Sequence, residues 1–328
     1  MADLSTSYLG LKLRNPIIIA SGPKTGNIES LKKCEQNGAG AVVLKSIFEE
    51  QIETEVGKQL VEHSEYLEYS DFSEYFENVS KDYYLEKYLQ LLKDAKRELS
   101  IPVIASINCS DLSTWEDYIS SFEKAGADAI ELNYYPIAQD KKVSGESVDK
   151  ALFKFAKRMR KSTTLPVSIK LGDNYSSIAY IISELDKIGI NGLVLFNRFF
   201  RPDINIETET MTHLGGVSSF NEYAPTLRWI ALMSAEVKCS LAANRGIHDG
   251  NTVIKMLLAG AAACQICSIY LKDESIVKTM CDELNAWMEK KNYKSISDFQ
   301  GKMAQENIAN GSAWERTQYM KTLIGGDK

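Results

Sequence analysis

Short runs of apolar residues, many of them β-branched, alternate along the chain with longer stretches in which apolar positions return every three or four residues. The runs are Pro16 to Ala20, Ala41 to Leu44, Pro102 to Ile107, Asp128 to Leu132, Pro166 to Leu171, Gly192 to Phe196, Lys238 to Ala243 and Ala262 to Ile266. They are apolar on successive residues, as strands are when both faces of their sheet are covered. Between them, Tyr84, Leu85, Tyr88, Leu89 and Leu92 form one helical stripe, and Ile178, Ile181, Ile182, Leu185 and Ile188 form another. Start and stop signals agree. Ser113 and Glu116 have capping-box spacing, Asp249 precedes a periodic segment through Ile254 and Leu257, and Gly38, Gly126, Gly189 and Gly260 stand at helix-to-strand junctions. Eight strand–helix alternations predict an α/β fold of the closed (β/α)8 TIM-barrel type, with the 328 residues in a single domain.

Two long segments interrupt the alternation, residues 49–81 and 198–221, both after strands on the side where barrels carry their loops. The first holds ten acidic residues against one lysine between Glu49 and Glu77, more than the whole net charge of −6. Its aromatic residues Tyr66, Tyr69, Phe72, Tyr75 and Phe76 are expected to pack locally, against a second subunit, or as a lid over a site. The barrel proper is therefore not acidic, and the absence of a basic tract argues against a nucleic-acid partner. Hydrophobic content of 44% and charged content of 25% are those of a globular chain. The N-terminal stretch has no basic segment followed by an apolar one, and the longest apolar run, Met256 to Cys264, is too short to span a bilayer, so no membrane association is expected. Six scattered cysteines predict reduced thiols and a cytoplasmic setting.

Barrel active sites lie where the strands finish, so the residue ending each apolar run is the one to inspect. Those residues are Ser21, Lys45, Asn108, Asn133, Lys170, Asn197, Asn244 and Ser268. Four uncharged amides suit a planar heterocycle edged with carbonyl and N–H groups, and two lysines suit anionic density. A flavin meets that description, with Lys170 or Lys45 stabilising the charge that develops on hydride acceptance. Either lysine could alternatively form a Schiff base. After the seventh and eighth strands, Arg245, Gly246 and Ser268 offer a guanidinium, a close backbone approach and a hydroxyl to a phosphate. Cys264 and Cys267 have C-x-x-C spacing, but on a strand such positions point to opposite faces. Of His63, His213 and His248, none has a second ligand at metal spacing, so no metal is expected; His213 is the one placed to approach the site.

From about Leu9 to Met303 the sequence resembles the dihydroorotate dehydrogenase family, in its soluble class 1 branch. The segments that carry the resemblance are Asn15-Pro16, Ala20-Ser21-Gly22, Lys45-Ser46, Glu131-Leu132-Asn133, Ile169-Lys170-Leu171, Gly215-Gly216-Val217, Gly246-Ile247 and the stretch Ser295 to Lys302. The resemblance implies bound FMN. Ala20, Ser21, Gly22, Lys45, Ser46 and Asn108 would then face the ring or ribityl chain, together with Asn133, Lys170 and Asn197. Gly216, Ser218, Asn244, Arg245, Gly246, Cys267 and Ser268 would lie toward the ribityl and phosphate end. It further implies hydride transfer from a dihydropyrimidine such as dihydroorotate, a soluble electron acceptor of the fumarate type, and a homodimer.

Two departures bear on the substrate. Where class 1 enzymes carry Ser-Cys-Pro-Asn after the fourth strand, this chain reads Asn133-Tyr134-Tyr135-Pro136-Ile137, so Tyr135 replaces the catalytic cysteine and Ile137 the substrate-binding asparagine. A tyrosine accepts a proton only if its pKa of about 10 is lowered. The family's Asn-Ser-Met-Gly-Leu-Pro-Asn loop aligns with Phe72 to Asn78, which keeps only the last of its two asparagines, Asn78. Asn78, Asn133 and Asn197 are thus the expected substrate contacts. Alternatives are an FMN enzyme for another small cyclic substrate, a non-catalytic FMN-binding barrel, and a Schiff-base lyase.

Overall fold

The computed structural model describes residues 2–48, 70–108, 115–134 and 136–316. Eight parallel strands, β1 (Ile17–Ile19), β2 (Ala41–Val43), β3 (Val103–Asn108), β4 (Ala129–Tyr134), β5 (Val167–Leu171), β6 (Gly192–Leu195), β7 (Ser240–Asn244) and β8 (Ala263–Ile266), pair each with the next. β8 pairs back onto β1, which closes the predicted (β/α)8 barrel. The helices that follow the strands are α1 (Ile28–Gln36), α2 (Ser70–Glu98), α3 (Trp115–Lys124), α4 (Gly145–Lys161), α5 (Ile178–Ile188), α6 (Tyr223–Met233), α7 (Gly250–Ala259) and α8 (Ile276–Lys290). No helix among the described residues is long and apolar enough to cross a membrane.

The local signals act as their chemistry requires. Asp249 caps α7, its carboxylate accepting the Thr252 N–H at 2.7 Å, and α7 ends at Gly260 in the left-handed region at φ +109°. Gly38, Gly126 and Gly189 also have positive φ, so all four junction glycines do the same work. The capping pair at Ser113 begins outside the described residues, immediately before α3. The first long segment differs from its expectation. Residues 49–69 lie outside the described residues, but from Ser70 onward the chain belongs to α2, so the end of the expected insertion is helix. Phe72 to Asn78 is accordingly helix rather than loop. In the second segment, Pro202–Asn205 and Thr210–His213 form an antiparallel hairpin.

The strands place alternate residues on two surfaces. Ile130, Leu132, Ile169, Leu193, Leu195, Ala243 and Ile266 join the large cluster between barrel and helices. Ile18, Val43, Ile104, Ala129, Val194, Ala242 and Ala263 fill the lower barrel lumen with Tyr8, Leu9 and Leu13 from an N-terminal hairpin. Fully burying each isoleucine, leucine or valine among them contributes roughly 1.5 to 3 kcal/mol. Above that apolar layer the same inward rows turn polar, with Glu131 and Asn133 on β4, Ser168 and Lys170 on β5, and Gln265 on β8 all buried. The strand reading from the sequence, apolar on both faces, therefore holds only for the lower lumen.

Candidate active site

Strand ends from both sides of the β8–β1 closure converge on one cavity at the C-terminal rim. Its wall carries Ser21 after β1, Lys170 on β5, Asn197 and Arg198 after β6, and Gly216 and Ser218 from the loop before α6. β7 with its following turn adds Asn244, Arg245, Gly246 and Ile247, and β8 with its following turn adds Gln265 through Ile269. Of the eight strand-end residues expected from the sequence, five line this cavity. Arg198 and Gln265 line it too, though neither ended an apolar run.

A chain of hydroxyls links the cavity wall to the strands on the other side of the barrel. Ser21 Oγ is 3.0 Å from Ser46 Oγ and accepts the Ser46 N–H at 2.9 Å, and Ser46 Oγ lies 2.8 Å from Ser106 Oγ. Asn133 Nδ2 donates to Ser46 Oγ at 2.7 Å. Ser46 and Asn133 are therefore tied to the wall, which leaves the Asn133 carbonyl oxygen for other partners. Ala20 is fully buried behind the wall, its N–H donated to Ile266 O at 2.8 Å. Gly22 adjoins Cys267, whose thiol donates weakly to Ser21 O at 3.8 Å.

The two lysines part company. Lys170 is 6% exposed and borders the cavity, whereas Lys45 is exposed, runs its stem past Gly26, and does not line the cavity. Asn108 sits at the end of β3, half-buried and off that wall. Tyr135 lies outside the described residues, and Asn78 falls inside α2 with its side chain also outside them. Ile137 is 75% exposed and offers no polar atom to the site. Tyr134, by contrast, stacks on Phe155 with ring centroids 4.9 Å apart.

Below Lys170, Glu131 is completely buried and accepts from Gln265 Nε2 at 2.5 Å. Its other oxygen has no partner. Burial pushes this carboxyl up, and the Lys170 charge and the Gln265 hydrogen bond act in the opposite sense. Neither Glu131 nor Gln265 was picked out as a site residue, because both lie within the apolar runs. The period-two alternation with Asn133 was the available signal.

At the mouth, three arginines gather around one carboxylate. Glu222 Oε2 is 3.1 Å from Arg198 Nε and 2.9 Å from Arg201 Nη2, and Arg245 Nη1 pairs with Asp173 at 2.6 Å. Burial works against the Glu222 charge, but the Ser219 N–H and the Arg198 guanidinium outweigh it and hold the carboxyl below its usual range. Arg245 Nε is buried without a hydrogen bond, 3.8 Å from Glu222 Oε2. The Arg245 guanidinium thus stands between the carboxylates of Asp173 and Glu222 at the cavity wall. His213 does not approach the site as expected. It is exposed on the hairpin against Phe200, while His248 reaches Ser218 instead, with Nε2 to Oγ at 2.8 Å.

Comparison with known proteins adds an independent line. Residues 3–288 match the family described as dihydroorotate dehydrogenase. The catalytic subunit of dihydroorotate dehydrogenase B (NAD(+)) from Thermoplasma acidophilum is 27% identical, covering 92% of this chain and 99% of that protein. The NAD-dependent dihydropyrimidine dehydrogenase subunit PreA of Escherichia coli is 24% identical over 99% of this chain and 82% of its own length. Dihydropyrimidine dehydrogenase (NADP(+)) of Arabidopsis thaliana is 26% identical over 92% and 77%.

Proposed function

The chain belongs to the dihydroorotate dehydrogenase family, and from that premise we propose that it is an FMN-dependent oxidoreductase acting on the CH–CH bond of a dihydropyrimidine. The observation that carries this reading is the convergence of Lys170, Asn197, Asn244, Arg245 and Ser268, from four different βα turns, on one cavity. The donor set suits FMN. Arg245 and the Ser218 and Ser268 hydroxyls offer an anionic tail its partners, and the amides and Lys170 offer a heterocycle its own. When bound there, FMN would supply the hydride acceptor.

Each protein group then has a definite task. Lys170 Nζ places positive charge, in a site shielded from water, where electron density accumulates. Asn133 and Asn197 orient the substrate ring through amide hydrogen bonds, and Arg198 on the wall provides a cation for a ring carboxylate. Tyr135 Oη, in the sequence position of the family's cysteine, is the candidate acceptor for the substrate proton. A second reading, another small cyclic substrate, is favoured by that replacement and by Ile137, which removes an asparagine's hydrogen bonds.

We include in the proposal a soluble acceptor and a homodimer. The names of the relatives favour NAD(+) with a partner subunit over fumarate as acceptor. The test is anaerobic mixing of the FMN-loaded protein with dihydroorotate, dihydrouracil and dihydrothymine, followed by addition of NAD(+), fumarate or a dye. Bleaching of the flavin band by at least one of these substrates, fastest with dihydroorotate if Arg198 binds its carboxylate, is the expected result. A flavin that stays oxidised with all three would contradict the substrate class.

A further inference from the structure

Behind the phosphate end of the cavity stands a relay whose hydrogen count depends on one ring. Ser218 Oγ lies 2.8 Å from His248 Nε2 and 2.9 Å from Ser268 Oγ, and the Ser218 N–H donates to Ser268 Oγ at 3.2 Å. Ser218 and Ser268 line the cavity and His248 does not. We propose that His248 acts through Ser218 as a positioning residue for the flavin phosphate, switching the serine pair between offering one hydroxyl proton to the cavity and offering none. This rests on the FMN reading above and adds to it a control on how firmly the cofactor is held.

The count follows from donor and acceptor capacities. If Nε2 carries a hydrogen, it donates to Ser218 Oγ. The two serines then have two hydroxyl protons, one joins them to each other, and one is left for the cavity. If Nε2 is bare, Ser218 must donate to it, Ser268 donates to Ser218, and only lone pairs face the ligand. A phosphate, which accepts hydrogen bonds and donates few, is held by the first arrangement and repelled by the second. Protonation of the ring enforces the first arrangement and adds a positive charge nearby.

The direction with pH follows. The groups around His248 are Lys272 on the short helix Ser268–Lys272, Asp249 on its own turn, and Glu222 from the loop before α6, with Phe220 packed against the ring. Burial first, and then Lys272, hold the empty site's imidazole below its ordinary value, while Asp249 and Glu222 act the other way. A bound phosphate anion raises it. Binding is therefore strengthened as pH falls toward the value of the empty site, and the gain is lost as pH rises through the value of the loaded site.

The experiment measures dissociation constants of FMN and of riboflavin, which lacks the phosphate, by quenching of flavin fluorescence at pH 8 and pH 6. Wild type is compared with His248→Gln, which hydrogen-bonds without titrating, and with Ser218→Ala, which cuts the relay while leaving the histidine. Ionisation of the phosphate itself is common to all three proteins and cancels. The FMN-over-riboflavin preference of wild type is expected to rise between pH 8 and pH 6 by roughly fivefold more than in either variant. Retained riboflavin binding shows that the variants are folded. Equal pH responses in the three proteins would overturn the role of His248 while leaving the FMN reading intact. Failure of wild type to bind FMN at either pH would overturn both.

Discussion

Replacing Lys170 with methionine slows reduction of the bound flavin by substrate by about 10²- to 10³-fold, the magnitude typical of removing one preorganised electrostatic contact. Three observations support an effect of that size. Lys170 points into the lumen from β5, opposite Asn133 in the β4–β5 register, and is 6% exposed at the cavity wall. Little water screens it, so its charge acts across a low dielectric. Lys45, the other strand-end lysine, is exposed and off the wall, and does not substitute for it. Methionine fills most of the volume of the lysine stem, so the barrel keeps its packing. Glu131 beneath then loses the charge that draws its carboxyl down. FMN content is expected to stay near that of wild type while the reduction rate, followed anaerobically by stopped flow, falls. A rate within threefold of wild type would show that Lys170 does not bear on the redox ring.

Gly246→Ala is expected to destabilise the protein by about 3 kcal/mol, which lowers the thermal midpoint by on the order of 5 °C or more. The residue has φ +64°, where an L side chain costs about 1 to 2 kcal/mol. A Cβ there would also lie 2.4 Å from the Tyr223 nitrogen and 2.9 Å from the Glu222 carbonyl carbon. Both neighbours are backbone at the start of α6, so relief requires moving the turn that holds Glu222. That carboxylate gathers Arg198 and Arg201 at the cavity mouth, and FMN affinity should fall together with stability. Calorimetry and flavin titration on the same variant check the two effects. An unchanged midpoint would mean that the β7 turn yields easily.

The barrel was legible in the sequence because each strand's outward row is apolar and several helices announce their ends. Asp249 and Gly260 delimit α7 by hydrogen bonding and backbone freedom that no other part of the protein has to supply. The polar rim was legible for the same local reason, a polar residue stopping an apolar run. Three features were hidden. Arg198 follows a strand-end residue, and only the fold of the β6 turn shows that two successive side chains reach one wall. Glu131 and Gln265 are inward members of an alternation that the surrounding apolar residues mask, although Glu131-Leu132-Asn133 already shows it. Ser218 and His248 are 30 positions apart and meet only because two βα turns are neighbours. The helix from Ser70 was readable in principle, since Phe72, Tyr75, Phe76 and Val79 have helical spacing, but the density of acidic residues drew the reading toward a loop.

The most direct measurement is identification of the cofactor released from the purified protein after incubation with a mixture of FMN, FAD and riboflavin. Chromatography of the denatured extract should return FMN at about one equivalent per chain, with the other two flavins in trace amounts. An extract without flavin, or one holding riboflavin as readily as FMN, would contradict a site built around a redox ring with its phosphate held between the last two turns of the barrel.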